Sequence, residues 1–204
     1  MRKPIVLAVV DDDPSVLDST VILLRAQGLT VHAARSAEAL LAAITAGTLK
    51  PDCIVCDVLL PGASGIDLIE ALAAHGTRAP VVLITGHGDI RMAVSAIKMG
   101  ASDFIEKPFA IEDLVASIDA AVARSRAAED AARERSEIEG RVALLSARQR
   151  EVMDLVVEGY SSKQIGLKLG ISPRTVETYR LQIMDKMGAG SVAALVRMTA
   201  SIRR

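Results

Sequence analysis

Five short apolar runs, each followed by a stretch with helical spacing, recur through the first half of the chain, and few architectures accept that rhythm. The runs fall at residues 5–10, 30–33, 53–57, 81–85 and 103–106. Runs this short and continuously apolar are strands covered on both faces, and strands that alternate with helices pair in parallel. In the first helical stretch Val16, Thr20, Leu23 and Leu24 share a face. Asp13-Pro14 opens it, an acceptor side chain followed by a first-turn proline, and Gly28 closes it. The second begins at Ser36, with Glu38, Ala39, Leu40 and Leu41 following; the third covers 64–76 and the fourth 90–99, ending on Gly100. The spacing predicts an α/β domain: a doubly wound, five-stranded parallel sheet with helices on both faces.

Chemistry in such sheets gathers at the carboxyl ends of the strands. Those ends carry Asp11-Asp12-Asp13, Asp57, Thr85 and Lys107-Pro108. An acidic triplet alone is usually a solvated turn, but carboxylates meeting at one end of a sheet repel unless a cation joins them. Oxygen-only ligation suits Mg²⁺, which keeps several waters and takes few protein ligands. A carboxylate beside Mg²⁺ can attack phosphorus while the metal neutralises the phosphoryl oxygens. Thr85 offers a hydroxyl and Lys107 a point charge for the remaining oxygens. The stretch around His87 (Gly86-His87-Gly88) is no phosphate-binding P-loop, because no Gly-Lys-Ser/Thr follows; His87 reads as an exposed loop residue.

The spacing of Cys53 and Cys56 invites a redox or metal reading. On a strand, however, an offset of three points the side chains to opposite faces, about 10 Å apart along the chain, beyond disulfide reach. With no second cysteine pair for zinc, two buried thiols packing as small hydrophobes are expected.

Charge divides the 204 residues: net −6 over residues 1–123, −1 over 124–140 and +6 over 141–204, within a total of −1. An acidic front and a basic back indicate domains with different partners, nucleic acid among them for the second. With aromatics at 2%, both cores must be aliphatic. No run approaches the ~18 apolar residues of a membrane helix and the first residues lack a signal-peptide pattern, so a cytoplasmic location is expected.

From Ile111 no helix breaker appears before Gly140. An apolar stripe ends at Val122, and 124–140 reads as a solvated helical linker continuing the last helix of the first domain. Beyond it, Ser146-Ala147-Arg148-Gln149 is a capping box, Ser161-Ser162 begins a second helix closed by Gly170, Ser172-Pro173 a third, and Ser191 a fourth. The tight spacing between the second and third is that of a helix-turn-helix, whose second helix reads the major groove with its N-terminal residues.

Two resemblances attach to these residues. Val10 through Pro14, Cys56 through Gly65, Ile84 through Asp89 and Asp103 through Phe109 resemble the ordered signatures of bacterial two-component response-regulator receivers of the NarL/FixJ class. Residues 145–152, 159–165, 169–177 and 183–187 resemble the LuxR/GerE-type DNA-binding domain. The first implies a flavodoxin-like fold with Asp57 as phosphoacceptor. It also implies Mg²⁺ held by Asp12 directly, by Asp11 mainly through water, by Asp57 and by the Leu59 carbonyl. Thr85 and Lys107 would bind the phosphoryl group, Phe104 would follow Thr85 inward, and Asp13 would cap a helix. The second implies an all-α four-helix domain in which Glu177, Thr178 and Leu181 face base edges, and Lys163, Arg174, Thr175, Arg180 and Lys186 approach phosphates. Implied partners are a sensor histidine kinase, double-stranded DNA, RNA polymerase and a second copy of the chain on phosphorylation.

Departures from these patterns carry expectations of their own. Gly62 and Ala63 stand where many relatives have larger or acidic residues, which predicts a looser loop after Asp57. Leu59 leaves no acid or amide to position a hydrolytic water. It also removes the second carboxylate that an aspartyl phosphohydrolase needs, so a turnover enzyme is not expected. Gly166 lies inside a helix, where glycine costs up to ~1 kcal/mol.

Overall fold

The computed structural model describes residues 4–86 and 90–202; His87, with its neighbours Gly88 and Asp89, lies outside them. The chain divides into two compact units, Met1–Ala127 and Ala128–Arg204.

In the first unit, β1 (Val6–Val10), α1 (Pro14–Ala26), β2 (Thr30–Ala34), α2 (Ala37–Thr45), β3 (Cys53–Asp57), α3 (Gly65–Ala74), β4 (Val81–Thr85), α4 (Ile90–Lys98) and β5 (Asp103–Glu106) alternate, and α5 (Ile111–Ala143) begins here and ends among the residues of the second. The five strands pair in parallel in the order β2-β1-β3-β4-β5. Alternate side chains feed two cores. Ala8, Val10, Ile54, Cys56 and Leu83 pack with Leu40, Leu68 and Leu72 of α2 and α3. Leu7, Val9, Cys53, Val55 and Val82 pack with Leu17, Val21 and Leu24 of α1 and with Leu114 and Ile118 of α5. Both cysteines are free and buried, one in each core, as an odd offset on a strand requires. The buried face of α1 is Leu17, Thr20, Val21 and Leu24; Leu23, assigned to that face from spacing, is turned outward at 48% exposure.

Caps set the helix starts. The Asp13 carboxylate accepts from the Ser15 and Val16 amides, with Pro14 in the first turn. Ser36 caps α2 through Ala39 N–H, and Ser64 with Asp67 closes a capping box on α3. Gly65 is required by a close approach: a Cβ there would lie 2.5 Å from the Asp57 carbonyl oxygen. Bare glycine lets α3 start directly against the end of β3.

The second unit contains α6 (Ala147–Val157), α7 (Ser162–Leu169), α8 (Pro173–Met187) and α9 (Val192–Ile202). Serines 146, 161 and 172 cap the first three. Its core joins Val152, Ile165, Val176, Ile183, Met187 and Leu195. Ile138 and Leu145 belong to it as well, at 4% and 3% exposure. The solvated-linker reading of 124–140 therefore fails at Ile138, a large apolar residue with a core to enter. Helix α5 also runs through Gly140 to Ala143.

Gly166 has a packing reason. A Cβ there would stand 2.7 Å from the Ile171 carbonyl oxygen and 3.4 Å from the Pro173 nitrogen. The turn between α7 and α8 lies directly on α7, and glycine's propensity cost is the condition of that closeness.

Candidate functional site

The strand order reverses between β1 and β3, and the crevice at their carboxyl ends is where an open α/β sheet binds ligands. Three buried polar side chains meet that edge: Asp11 at 2% exposure, Asp57 at 8% and Thr85 at 0%. Their register explains the gathering. Val10 pairs with Cys56, so the residues that follow, Asp11 and Asp57, leave adjacent strands at one level. Asp57 pairs with Ile84, and Thr85 with Glu106, and Lys107 N–H donates to the Thr85 carbonyl at 2.7 Å.

Lys107 ties the group together. Its Nζ donates to Asp11 Oδ2 at 2.9 Å and to Asp57 Oδ2 at 2.6 Å. The other oxygens are also engaged: Asp57 Oδ1 accepts from Leu59 N–H at 2.8 Å and Asp11 Oδ1 from Asp13 N–H at 3.0 Å. Partial burial pulls the Lys107 pKa down, but hydrogen bonds and charge from Asp57 and Asp11 outweigh it, and the ammonium sits above its ordinary value. Asp12, next along the chain, is exposed, as is the Leu59 side chain at 54%. Phe104 is half-buried against the core on the α3 side of the sheet.

Among the described residues no three acidic, histidine or cysteine side chains form a metal cage by themselves. The donor set nevertheless fits Mg²⁺. Two carboxylates already share one cation position, now taken by the Lys107 ammonium, and all the donors are oxygens. Mg²⁺ needs only one or two carboxylates when phosphate and water supply the rest.

In the second unit, Glu177, Thr178 and Leu181 lie exposed along α8, Leu181 at 74%. Lys163 on α7 and Arg174 at the start of α8 are exposed, and Thr175 and Arg180 are half-buried. The Thr175 hydroxyl pairs with that of Ser172 at 2.8 Å, and Arg180 lines a small apolar cavity with Val156, Ile183 and Leu195. Lys186 differs from the other basic candidates, because its Nζ donates to the Leu144 carbonyl and to Gln149 Oε1, both at 2.9 Å. Sequence reasoning missed Gln149 as a hub: it is buried, completes the α6 capping box and donates to Gln182 of α8 at 2.8 Å. Only the capping-box pattern hinted at it. Arg141 was missed as well; it donates to the Met187 carbonyl at the end of α8 at 2.9 Å.

A doubly wound α/β unit whose switch-point edge holds a lysine-bridged aspartate pair is followed by a helical unit with helix-turn-helix spacing. Comparison with known proteins gives this arrangement its class. Residues 7–119 match the response regulator receiver domain, and residues 143–199 match the luxR family of bacterial regulatory proteins. The transcriptional regulatory protein FixJ of Azorhizobium caulinodans is 45% identical over 201 residues, covering 97% of this chain and 93% of the relative. The response regulator protein TmoT of Ectopseudomonas mendocina is 41% identical, over 97% of this chain and 89% of its own length. Among solved structures, the response regulator StyR superposes with a TM-score of 0.80 at 34% identity, covering 98% of this chain and 99% of its own. Full-length FixJ from B. japonicum gives 0.62 at 39%, covering 99% and 98%. The chain belongs to the two-component response regulators, as a FixJ-like member with a receiver and a LuxR-type DNA-binding domain. A kinase and DNA are its implied partners, and receivers of this family bind Mg²⁺ at the phosphorylation site. No helix among the described residues is long and apolar enough to cross a membrane.

Proposed function

We propose that, in the cytoplasm, Asp57 accepts a phosphoryl group from a cognate sensor histidine kinase, and that the modified chain dimerises and binds its operator more tightly to control transcription. The observation that carries this reading is the Lys107 bridge between Asp11 and Asp57. It places a cation beside the acceptor, where phosphoryl oxygens would arrive.

An Asp57 carboxylate oxygen forms the new bond to phosphorus as the bond from phosphorus to the donor imidazole nitrogen breaks, and the imidazole takes up a proton. Asp11, Asp12, Asp57 and the Leu59 carbonyl would hold Mg²⁺, which when bound neutralises phosphoryl charge. Lys107 keeps its charge throughout and exchanges a carboxylate partner for a phosphoryl oxygen. The Leu59 N–H orients Asp57 through its second oxygen. Phosphorylation adds roughly −1.5 to −2 charge; the Thr85 hydroxyl closes on it and Phe104 follows. The chain acts as a stoichiometric switch rather than a turnover enzyme, since Leu59 offers no acid two residues after the acceptor.

At the operator, Glu177, Thr178 and Leu181 meet base edges while Lys163, Arg174, Thr175 and Arg180 approach phosphates. Lys186 fits a structural role better, given its two internal bonds. RNA polymerase is the expected recipient of the output. The test is an Asp57→Asn protein given a small phosphodonor with Mg²⁺. It should gain neither mass nor operator affinity, whereas the wild type gains both; equal responses would overturn the assignment.

A further inference from the structure

The loop joining β3 to α3 supplies the backbone beside Asp57, and its sequence, Leu59-Leu60-Pro61-Gly62-Ala63, predicts looseness. The structure ties it down from another element. Glu38, in the first turn of α2, accepts a hydrogen bond from Ala63 N–H at 3.1 Å, across 25 positions of sequence. Gly62 makes room for the carboxylate. It adopts φ +89°, and a Cβ there would lie 2.9 Å from the same Glu38 oxygen. The small residues that look like a weakness are the ones that admit the clamp.

We propose that Glu38 is a positioning residue for the phosphoacceptor loop, and that its bond to Ala63 N–H holds the Leu59 backbone in register with Asp57. The loop's ends are already fixed. Leu59 N–H sits on Asp57 Oδ1 at 2.8 Å, and Gly65 N–H donates to the Val58 carbonyl at 3.1 Å. Between them Leu59, Pro61 and Gly62 are exposed, while Leu60 packs into the core with Ala37 and Leu40 of α2; Glu38 adds a polar tie to the exposed part of that stretch. The carboxylate is itself prepared. Its own backbone N–H, then Ala63 N–H and the Ser36 hydroxyl, hold its pKa below the ordinary value. Glu38 touches no reacting atom and acts through Leu59, whose carbonyl is assigned above to the metal position; the inference rests on that assignment of the Asp57 site.

The test uses the full-length chain with Glu38→Ala and Glu38→Gln, and three readouts: amide exchange at Ala63, Mg²⁺ binding by calorimetry, and phosphodonor labelling of Asp57 against Mg²⁺ concentration. Loss of one hydrogen bond of this kind predicts Ala63 exchange about three- to tenfold faster in Glu38→Ala. The Mg²⁺ half-saturation should rise by a similar factor, about three- to tenfold, with the saturated labelling rate changed by less than about twofold. Glu38→Gln keeps an acceptor oxygen and should restore most of the Mg²⁺ affinity. Unchanged Ala63 exchange and Mg²⁺ affinity in Glu38→Ala would overturn the proposal, as would a Glu38→Gln protein no better than Glu38→Ala. A wild-type chain that never labels at Asp57 would instead overturn the phosphoacceptor reading. Ala63 exchange and Mg²⁺ binding would still decide the Glu38 question separately.

Discussion

The receiver edge and the exposed face of α8 are built in opposite ways. Asp11, Asp57, Thr85 and Lys107 come from four separate strand ends, with Lys107 bridging the two aspartates and Thr85 buried at the same edge. Residues 174–186 lie on one helix, most of them individually exposed. A site assembled from distant positions by strand register fails as a unit when one member is lost. A face carried by a single helix loses function in increments, one side chain at a time. One ammonium offsets part of the carboxylate charge at the first site, whereas the second, Lys186 apart, leaves its charges to solvent or to a partner.

The largest effect should follow Lys107→Ala, which leaves two buried carboxylates facing each other. The phosphodonor-driven gain in operator affinity should vanish, and unfolding free energy should drop by about 1–3 kcal/mol, read by urea denaturation. Switching retained in this variant would break the contrast between the two sites.

Gly166→Ala comes next and pits two principles against each other. Helix propensity alone favours alanine by up to ~1 kcal/mol. The 2.7 Å approach of the Ile171 carbonyl predicts the reverse, a loss of about 1–3 kcal/mol from overpacking, seen as a lower melting temperature of the second unit. A higher melting temperature would mean that the turn relaxes.

A smaller, sharper test separates Lys163 from Lys186. Lys163→Ala should reduce the salt dependence of operator binding by about one unit of log–log slope with stability unchanged. Lys186→Ala should leave the slope alone and cost about 1 kcal/mol of stability, through its lost bonds to Leu144 and Gln149.

The smallest effect concerns the thiols. Burial pushes Cys53 up to about 12, and pushes Cys56 higher still with help from the Asp57 and Asp11 charges. A folded pKa above the unfolded one contributes stability that is intact below the ordinary thiol value of 9.0 and lost as pH rises through the folded value. Denaturation midpoints should therefore slope downward above pH 9.0, less steeply in a Cys53→Ala/Cys56→Ala protein. Native-state alkylation should be negligible; rapid labelling would contradict the burial.

Much of this molecule is legible in its residues. The central strands β1, β3 and β4 could be located because they are apolar up to their last residues, and the edge strands β2 and β5 because a short apolar stretch follows a helix-ending glycine. The helix starts could be located because Asp13, Ser36, Ser64, Ser146, Ser161 and Ser172 are cap residues followed by apolar spacing. The polar residues that end those strands could be read as one cluster because parallel strands bring their carboxyl ends to the same edge. Local rules of this kind concern bonds within a few residues or a periodicity of two or 3.6. Other features had no local signal. The Glu38 clamp spans 25 positions, and Lys186 reaches Leu144 across 42. Ile138 looks like a stray apolar residue in a charged helix until a core is found beneath it. Gly166 looks like a defect until the following turn is seen to rest on it. The chain thus determined by itself which segments are strands and helices and which polar groups end them, because those follow from backbone bonding and apolar periodicity. Only the tertiary structure decided which charges pair, which glycines are obligatory and which surface residues are committed inward, because those depend on distances between segments that sequence order does not contain.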